Sequence, residues 1–474
     1  MQKSILLLAF VCMLVCLSGG TVFGLQYFDS THGYNVGSYP FGIAAADFNG
    51  DNKIDLVTSN YAGNTVSVLL GNGDGTFANR VNYSTSPSQY PYFVATGDMD
   101  GDGNVDIVTS GSLGFVIFYG VGDGTFGTAH AYNIGQAVTD IVVADFNNDT
   151  HLDIATSQAV RDSVGIHISN NDSTYTTHSV HTGNGTVSLA VGKLDSDNYA
   201  DILVGCSDGT VWNLKNNQAG DFTAAEVHLG ILSDPASVAI ADLNGDNIGD
   251  FAIVHAVNDY LYTYLNNGDG TYTIDKAYTL TDNPISVAFD DVNEDGEPDI
   301  FACIGTTNDI EVYLNQGSGN FNFDSAYSVG GTPKEVVFAD FNGDTHADMA
   351  ATSNNTDQAG VLLSRMSLIL SVDDVTNEGN LPIRFALGQN YPNPFNPETH
   401  IRFSLPEASQ VKVEVFNTLG QSVMVLVDEY LSAGDKEITW NGVNASGRKV
   451  ASGVYLYRLT TNRFTDSKSM VLLN

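Results

Sequence analysis

The sequence repeats itself seven times, and each repeat is built around an aspartate-rich loop. Nine-residue segments of this kind begin at Asp47, Asp98, Asp145, Lys193, Asp242, Asp291 and Asp340, at intervals of 51, 47, 48, 49, 49 and 49 residues. A second signature follows the first six loops: Gly73-Asp-Gly-Thr-Phe77, Gly122-Asp-Gly-Thr-Phe126 and Gly268-Asp-Gly-Thr-Tyr272, with looser forms at Asn171, Ala219 and Gly317. Between these marks lie four short apolar runs per repeat, in the first repeat residues 41–46, 55–59, 66–70 and 77–83. A four-stranded unit of this length, seven times over, is the sequence form of a β-propeller. The seventh repeat runs out at its third strand, near residues 361–363, whereas residues 26–35 have strand character ahead of repeat one. The expectation is that this leading strand completes the seventh blade and leaves no open sheet edge.

Composition agrees with an all-β chain and divides it. The 474 residues are 43% hydrophobic with 48 Gly, too apolar for a disordered acidic chain despite a formal net charge of -37. Residues 25–382 hold 8 Lys+Arg against 47 Asp+Glu, while residues 383–474 hold 9 against 8. An acidic body of net -39 repels nucleic acid and anionic membrane surfaces alike. The expected domains are a signal peptide at 1–24, the propeller at 25–370, a linker at 371–382 and a small Ig-like β-sandwich at 383–474.

The loops carry chemistry as well as punctuation. Side-chain oxygens at positions 1, 3, 5 and 9, with a backbone carbonyl at 7, can surround a hard cation, and calcium (Ca2+) takes 6–8 oxygen ligands in irregular geometry. No Cys or His occupies a side-chain ligand position, which disfavours zinc and copper. An EF-hand needs Glu at position 12, where these loops have Thr58, Thr109, Thr156, Ile253, Ala302 and Ala351. The pattern resembles the FG-GAP/VCBS repeats of integrin-α-type propellers and many secreted bacterial proteins, across all seven repeats. That resemblance implies calcium between the first and second strands of a blade. The ligands it implies are Asp47, Asn49, Asp51 and Asp55; Asp98, Asp100, Asp102 and Asp106; and Asp145, Asn147, Asp149 and Asp153. Later in the chain they are Asp242, Asn244, Asp246 and Asp250; Asp291, Asn293, Asp295 and Asp299; and Asp340, Asn342, Asp344 and Asp348. In the fourth repeat Lys193 replaces the first ligand opposite Asp195, Asp197 and Asp201, and its ammonium is expected to stand in for the ion. Six structural calcium sites and one lysine-filled loop are therefore expected, with Thr150 and Thr345 at position 6 setting the third and seventh loops apart.

Catalytic signals are sparse. Gly205-Cys-Ser207-Asp-Gly209 matches a nucleophile elbow by letters, but that motif needs a strand, a sharp turn and a helix. No H-E-x-x-H or P-loop is present. Arg80, Arg161 and Arg365 fall at non-equivalent repeat positions, unlike the arginine cluster of a sialidase-type propeller. No enzyme is expected, with an extracellular polysaccharide hydrolase or lyase as the alternative. A binding face is expected opposite the loops, from Tyr39, Tyr61, Tyr90, Tyr92, Arg161, Asp162 and Tyr260. Aromatic rings with polar tips suit an extracellular glycan or protein ligand. The repeats also resemble those of some lectin propellers.

Both ends read as addresses. Lys3, the apolar run at residues 5–17 and small residues near 18–24 have the layout of a secretory signal peptide, too short for a membrane span. Beyond it no integral membrane span is expected. Cys206 and Cys303 each follow an Asp-led apolar run in non-neighbouring repeats, so buried thiols are expected and not a disulfide. The C-terminal unit alternates apolar and polar residues with Gly/Asn turns, as in a β-sandwich. Its Asn390-Tyr-Pro-Asn-Pro-Phe-Asn-Pro397, Phe416-Asn-Thr-Leu-Gly-Gln421, Ser452-Gly-Val-Tyr-Leu-Tyr-Arg-Leu459 and Lys468-Ser-Met-Val-Leu-Leu473 resemble a type A sorting domain of the type IX secretion system. That resemblance implies the type IX machinery as partner and a secreted or cell-surface location. The whole reads as an exported, calcium-binding propeller acting as a binding or adhesion module.

Overall fold

The computed structural model describes residues 27–366 apart from 218–219, 228–234 and 318, and residues 385–472 apart from 389, 391–394, 396, 407, 418–420 and 462–463. The expected signal peptide, the linker and most of the Asn390–Pro397 motif therefore lie outside the described residues. The chain divides into two compact units after Ser367.

The first unit is seven four-stranded antiparallel sheets. Their first strands are Pro40–Ala46, Val94–Gly97, Ile141–Ala144, Thr186–Gly192, Pro235–Ala241, Pro284–Asp290 and Val336–Ala339, each packed beside the first strand of the next. Those of the first and seventh blades also meet, which closes the ring. Every residue of the second strands, from Asp55–Asn60 to Asp348–Ser353, is buried between neighbouring blades. That double burial explains why these strands read as continuous apolar runs rather than alternating ones. The fourth strand of the first blade starts at Val81 and not at Phe77. Phe77 makes only an isolated bridge to Gly71, its ring 5.5 Å from Phe341 of the seventh blade.

Closure is as expected from the leading strand. His32–Asn35 pairs antiparallel with Gln358–Leu362 and completes the seventh sheet. Asp29 N–H donates to Leu363 O, Leu363 N–H to Asp29 Oδ1, and the Phe28 ring sits edge-on to Tyr327 of the sixth blade at 5.2 Å.

Two rings of hydrogen bonds join the blades. At the loop end, the carbonyl at loop position 2 accepts from the next blade: Phe48 O from Gly124 N–H, Phe146 O from Asn216 Nδ2, Leu194 O from Asn266 Nδ2, and Phe341 O from Gly75 N–H. At the other end, a side chain five residues before loop position 1 accepts the N–H of the next blade's first strand. Asp140 Oδ2 takes Leu189 N–H at 2.7 Å, Glu335 Oε2 takes Ile43 N–H at 2.7 Å, Ser188 Oγ takes Val238 N–H at 3.3 Å and Ser237 Oγ takes Val287 N–H at 3.4 Å. Cys206 and Cys303 are free buried thiols, their ionisation pushed by burial up to about 11 and about 12.

The second unit packs the sheet of Ala386–Leu387, Thr399–Leu405 and Gly434–Trp440 with that of Ser422–Leu431, Ser409–Asn417, Gly453–Thr460 and Thr465–Leu472. Ile401, Phe403 and Leu405 of one meet Val411, Val413, Val415 and Leu459 of the other in a single core. Trp440 lies against Phe395 and Tyr455, and Tyr457 Oη donates to Gly388 O while accepting Asn390 N–H. Among the described residues of the chain no helix is long and apolar enough to cross a membrane.

Candidate metal loops and ligand face

The seven loops join first to second strands, and the aspartates within them are not equivalent. Position 9 is fully buried in every blade, at Asp55, Asp106, Asp153, Asp201, Asp250, Asp299 and Asp348. One of its oxygens accepts the position 2 N–H, and the other accepts an N–H fourteen to sixteen residues further on, where the third strand ends. This residue ties the loop to the hairpin beside it, in the Lys193 repeat as much as in the others.

Position 1 separates six loops from one. Its Oδ2 accepts the position 6 N–H at 2.7–2.9 Å in the loops of Asp47, Asp98, Asp145, Asp242, Asp291 and Asp340. In these six the backbone is left-handed at position 4 (Gly50, Gly101, Asn148, Gly245, Glu294, Gly343) and at position 6 (Asn52, Gly103, Thr150, Asn247, Gly296, Thr345). Thr150 and Thr345, at φ 75° and 73°, keep the same turn as the glycines although a β-branched residue is strained there. The third and seventh loops are thus built like the rest. In the fourth loop neither Ser196 nor Asn198 is left-handed, because Lys193 offers no acceptor.

The lysine that fills the fourth loop is a different one from that expected. Lys215, on the third strand of the blade, pairs with Asp195 Oδ2, whereas Lys193 is exposed and, among the described residues, in no ion pair. Although burial opposes it, the Lys215 ammonium holds Asp195 below the usual carboxylate range. In this loop the position 1 residue, Lys193, is exposed, while Lys215 reaches Asp195 from the third strand. Loop spacing alone carried no sign of that.

The second loop fits a divalent cation, and the other five share its turn geometry. In the second, ligand oxygens of Asp98, Asp100 and Asp106 lie within 4.8 Å of one another. Burial, with the charges of loop neighbours adding to it, pushes the position 9 carboxyls up, to about 7 at Asp106 and about 8 at Asp299. A group of oxygens that raises its own members' pKa is one a divalent cation would relieve. Bound there, calcium would supply the positive charge that neutralises the carboxylates at positions 1, 5 and 9, position 3 being an uncharged Asn in all but the second loop.

At the opposite end the seven ligand-face candidates do not form one site. Tyr39, Tyr61, Tyr90 and Tyr92 come together with Phe41 at the junction of the first two blades. Ring centroids are 4.8 Å apart for Tyr61 and Tyr92, 5.1 Å for Tyr61 and Tyr90, and 5.3 Å for Phe41 and Tyr92. Arg161 is elsewhere, on the third blade's 3-10 turn, with Nη2 donating to Ile134 O at 3.4 Å. Asp162 is structural, since its Oδ1 accepts Gly185 N–H, as Asp259 accepts Asn283 N–H and Asp357 accepts Tyr39 N–H. Tyr260 pairs only with Tyr262, in the fifth blade. Ser207 sits in a hairpin turn between two strands, with no helix after it.

Tyr39 and Tyr90 occupy equivalent positions, eight residues before position 1, with φ of 61° and 56°. The same place in sister blades holds Gly185 and Asn283, residues at ease in left-handed backbone. Both tyrosines are nevertheless about half exposed, at 45% and 44%.

Behind them lies a cavity of about 510 Å³ lined by the starts of the first strands, among them Phe41, Tyr92, Phe93, Asp140, Lys334 and Glu335. The two carboxyls and Lys334 were not foreseen. The signal was an acidic residue ahead of an apolar first strand (Thr139-Asp140-Ile-Val-Val and Lys334-Glu335-Val-Val-Phe) where sister repeats have Ser188, Ser237 and Ser286. Burial pushes Asp140 up to about 7 and Glu335 well above its ordinary range, with the Asp140 charge adding to the latter.

Comparison with known proteins gives the class. The FG-GAP-like repeat family matches residues 47–109, 193–253 and 291–351, and the FlgD Ig-like domain family matches residues 393–463. The chain is thus a β-propeller carrying FG-GAP-like repeats, followed by an Ig-like domain. It is similar in fold to BBS1N, solved in complex with ARL6DN, at 12% identity and TM-score 0.53 over 72% of this chain and 98% of that one. An Agrocybe aegerita lectin, solved for its recognition of non-reducing terminal N-acetylglucosamine, matches at 22% identity and TM-score 0.46, over 64% and 89%. PorZ, a surface component of the type-IX secretion system of Porphyromonas gingivalis, matches at 13% and 0.43, over 89% and 58%. No curated protein matches by sequence.

Proposed function

We propose that this is an exported, calcium-stabilised propeller that binds an extracellular glycan on its tyrosine face and reaches the outside through type IX secretion. One observation carries the binding role: Tyr39 and Tyr90 are held exposed in a backbone conformation that sister blades give to Gly185 and Asn283. Backbone strain of this kind gathers at ligand-contacting sites. Five rings offer broad apolar faces, four of them with hydroxyl tips, the chemistry that stacks a sugar.

Calcium follows from the six equivalent turns. Export follows from the leading apolar run and from the resemblance of the C-terminal unit to sorting domains, and a chain ending at Pro382 should accumulate in the periplasm. Normal surface delivery of that truncation would overturn the route.

Glycan-array binding by the mature chain, lost in Y39N/Y90N with Tm unchanged or raised, is the expected result. Asn is the residue the sister blade uses, so a fall in Tm would count against stored strain. An empty array with binding to a matrix protein would replace glycan by protein, and two empty screens would overturn the binding role. An extracellular polysaccharide hydrolase or lyase has one feature in its favour, the carboxyls Asp140 and Glu335 lining one cavity. Product release from polysaccharide panels, abolished by D140N or E335Q, would carry that reading.

A further inference from the structure

Position −5 of each repeat, counted back from the loop, contributes one residue to the axial ring: Gly42, Phe93, Asp140, Ser188, Ser237, Ser286 and Glu335. Where this position carries a side-chain acceptor for the next blade's N–H, a serine hydroxyl suffices in two blades. A carboxyl at Asp140 and Glu335 is more than that bond requires, and burying an ionisable group costs several times more than burying a hydroxyl. Glu335 gives Oε2 to Ile43 N–H, while among the described residues its Oε1 takes no hydrogen bond, and the residue lines the cavity.

The remaining wall is suited to a cation. Lys334 Nζ already lies 5.2 Å from the centre of the Phe41 ring, so the aromatic side of the cavity holds one ammonium. Among the described residues that ammonium pairs with neither Asp140 nor Glu335. Burial favours the protonated form of both carboxyls, and a cation entering beside them would favour their ionised form, two negative charges against one lysine. Phe41 and Tyr92 belong both to the cavity wall and to the tyrosine patch, which makes the two continuous. At about 510 Å³ the space is of small-ligand size.

We propose that the axial cavity, where Asp140 and Glu335 share a wall with Phe41 and Tyr92, binds a protonated amine, and that on the tyrosine face this amine belongs to an amino sugar. The sugar rests on the glycan reading above; the amine does not. Isothermal titration of the calcium-loaded mature chain with glucosamine and with N-acetylglucosamine compares the same ring with and without the charge. Glucosamine should bind at least about tenfold more tightly, a difference of about 1.4 kcal/mol. The variant D140S/E335S installs the residue that sister blades use, so the inter-blade bonds are kept. It should hold or raise its Tm and bring the two sugars within about twofold of each other. Equal binding of both sugars by the unaltered chain, or an amine preference surviving D140S/E335S, would overturn the proposal. If neither sugar binds, the glycan reading falls, and benzylamine decides the cavity: saturable binding lost in D140S/E335S supports it, and no binding overturns it.

Discussion

Asp140 shows how one buried carboxyl sets a pH dependence. Burial holds it at about 7 in the folded chain against an ordinary 3.8, so the native state grips the proton more tightly than the unfolded chain does. Its contribution to stability is therefore greatest below pH about 4, declines as pH rises towards about 7, and stays lowest above that. D140N should remove this slope and be more stable than the parent above pH 7 by on the order of 2–4 kcal/mol. The Asp140 charge also opposes ionisation of Glu335, so the pH–Tm curves of E335Q and D140N/E335Q, which share Lys334, are the pair that isolates Asp140; parallel curves would refute the assignment. The residue scale is also where sequence reading was weakest. Tyr39 and Tyr90 were legible as loop tyrosines but not as strained ones, because φ is invisible until sister blades are superposed on Gly185 and Asn283. Lys215 was invisible for a related reason: it comes from a strand more than a dozen residues beyond the loop it fills.

The loop is the element that repeats, and its positions divide by task. Asp201 lies in the loop that lacks a position 1 carboxylate, yet it keeps both buried hydrogen bonds, to Leu194 N–H and Asn216 N–H. D201A should cost about 2–4 kcal/mol whether or not calcium is present, since it strands two buried donors. D51A should lower Tm chiefly in calcium and little in chelator. If D201A were as calcium-dependent as D51A, position 9 would be a ligand first and a tie second. Metal analysis should find six calcium ions in the parent chain. K193D should give seven only with Lys215 also removed, because the Lys215 ammonium holds Asp195. The nine-residue spacing was legible from sequence because oxygens at alternate positions of a short turn are a local property. The division between metal-facing and structural aspartates was not, because it depends on which oxygens meet the third strand.

Across the whole molecule, stability depends on the ring being shut. Residues 32–35 complete the seventh sheet, and Phe28 reaches the sixth blade, so removing residues 25–36 exposes the edge Gln358–Leu362 and opens the seam. The shortened chain should unfold many degrees lower and self-associate through the bare edge; an unchanged Tm and a monomeric elution would disprove the closure. Sequence by itself determined the seven blades, the closing strand, the acidic loops and the C-terminal Ig-like unit. Those features follow from strand periodicity and short-range spacing, which the chain carries locally. Tertiary structure alone decided that four tyrosines share a patch while Arg161, Asp162 and Tyr260 do not. It alone also placed Asp140 and Glu335, almost two hundred residues apart, in one cavity. Seven first strands must converge on an axis before such residues meet, and no single repeat holds the information for that convergence.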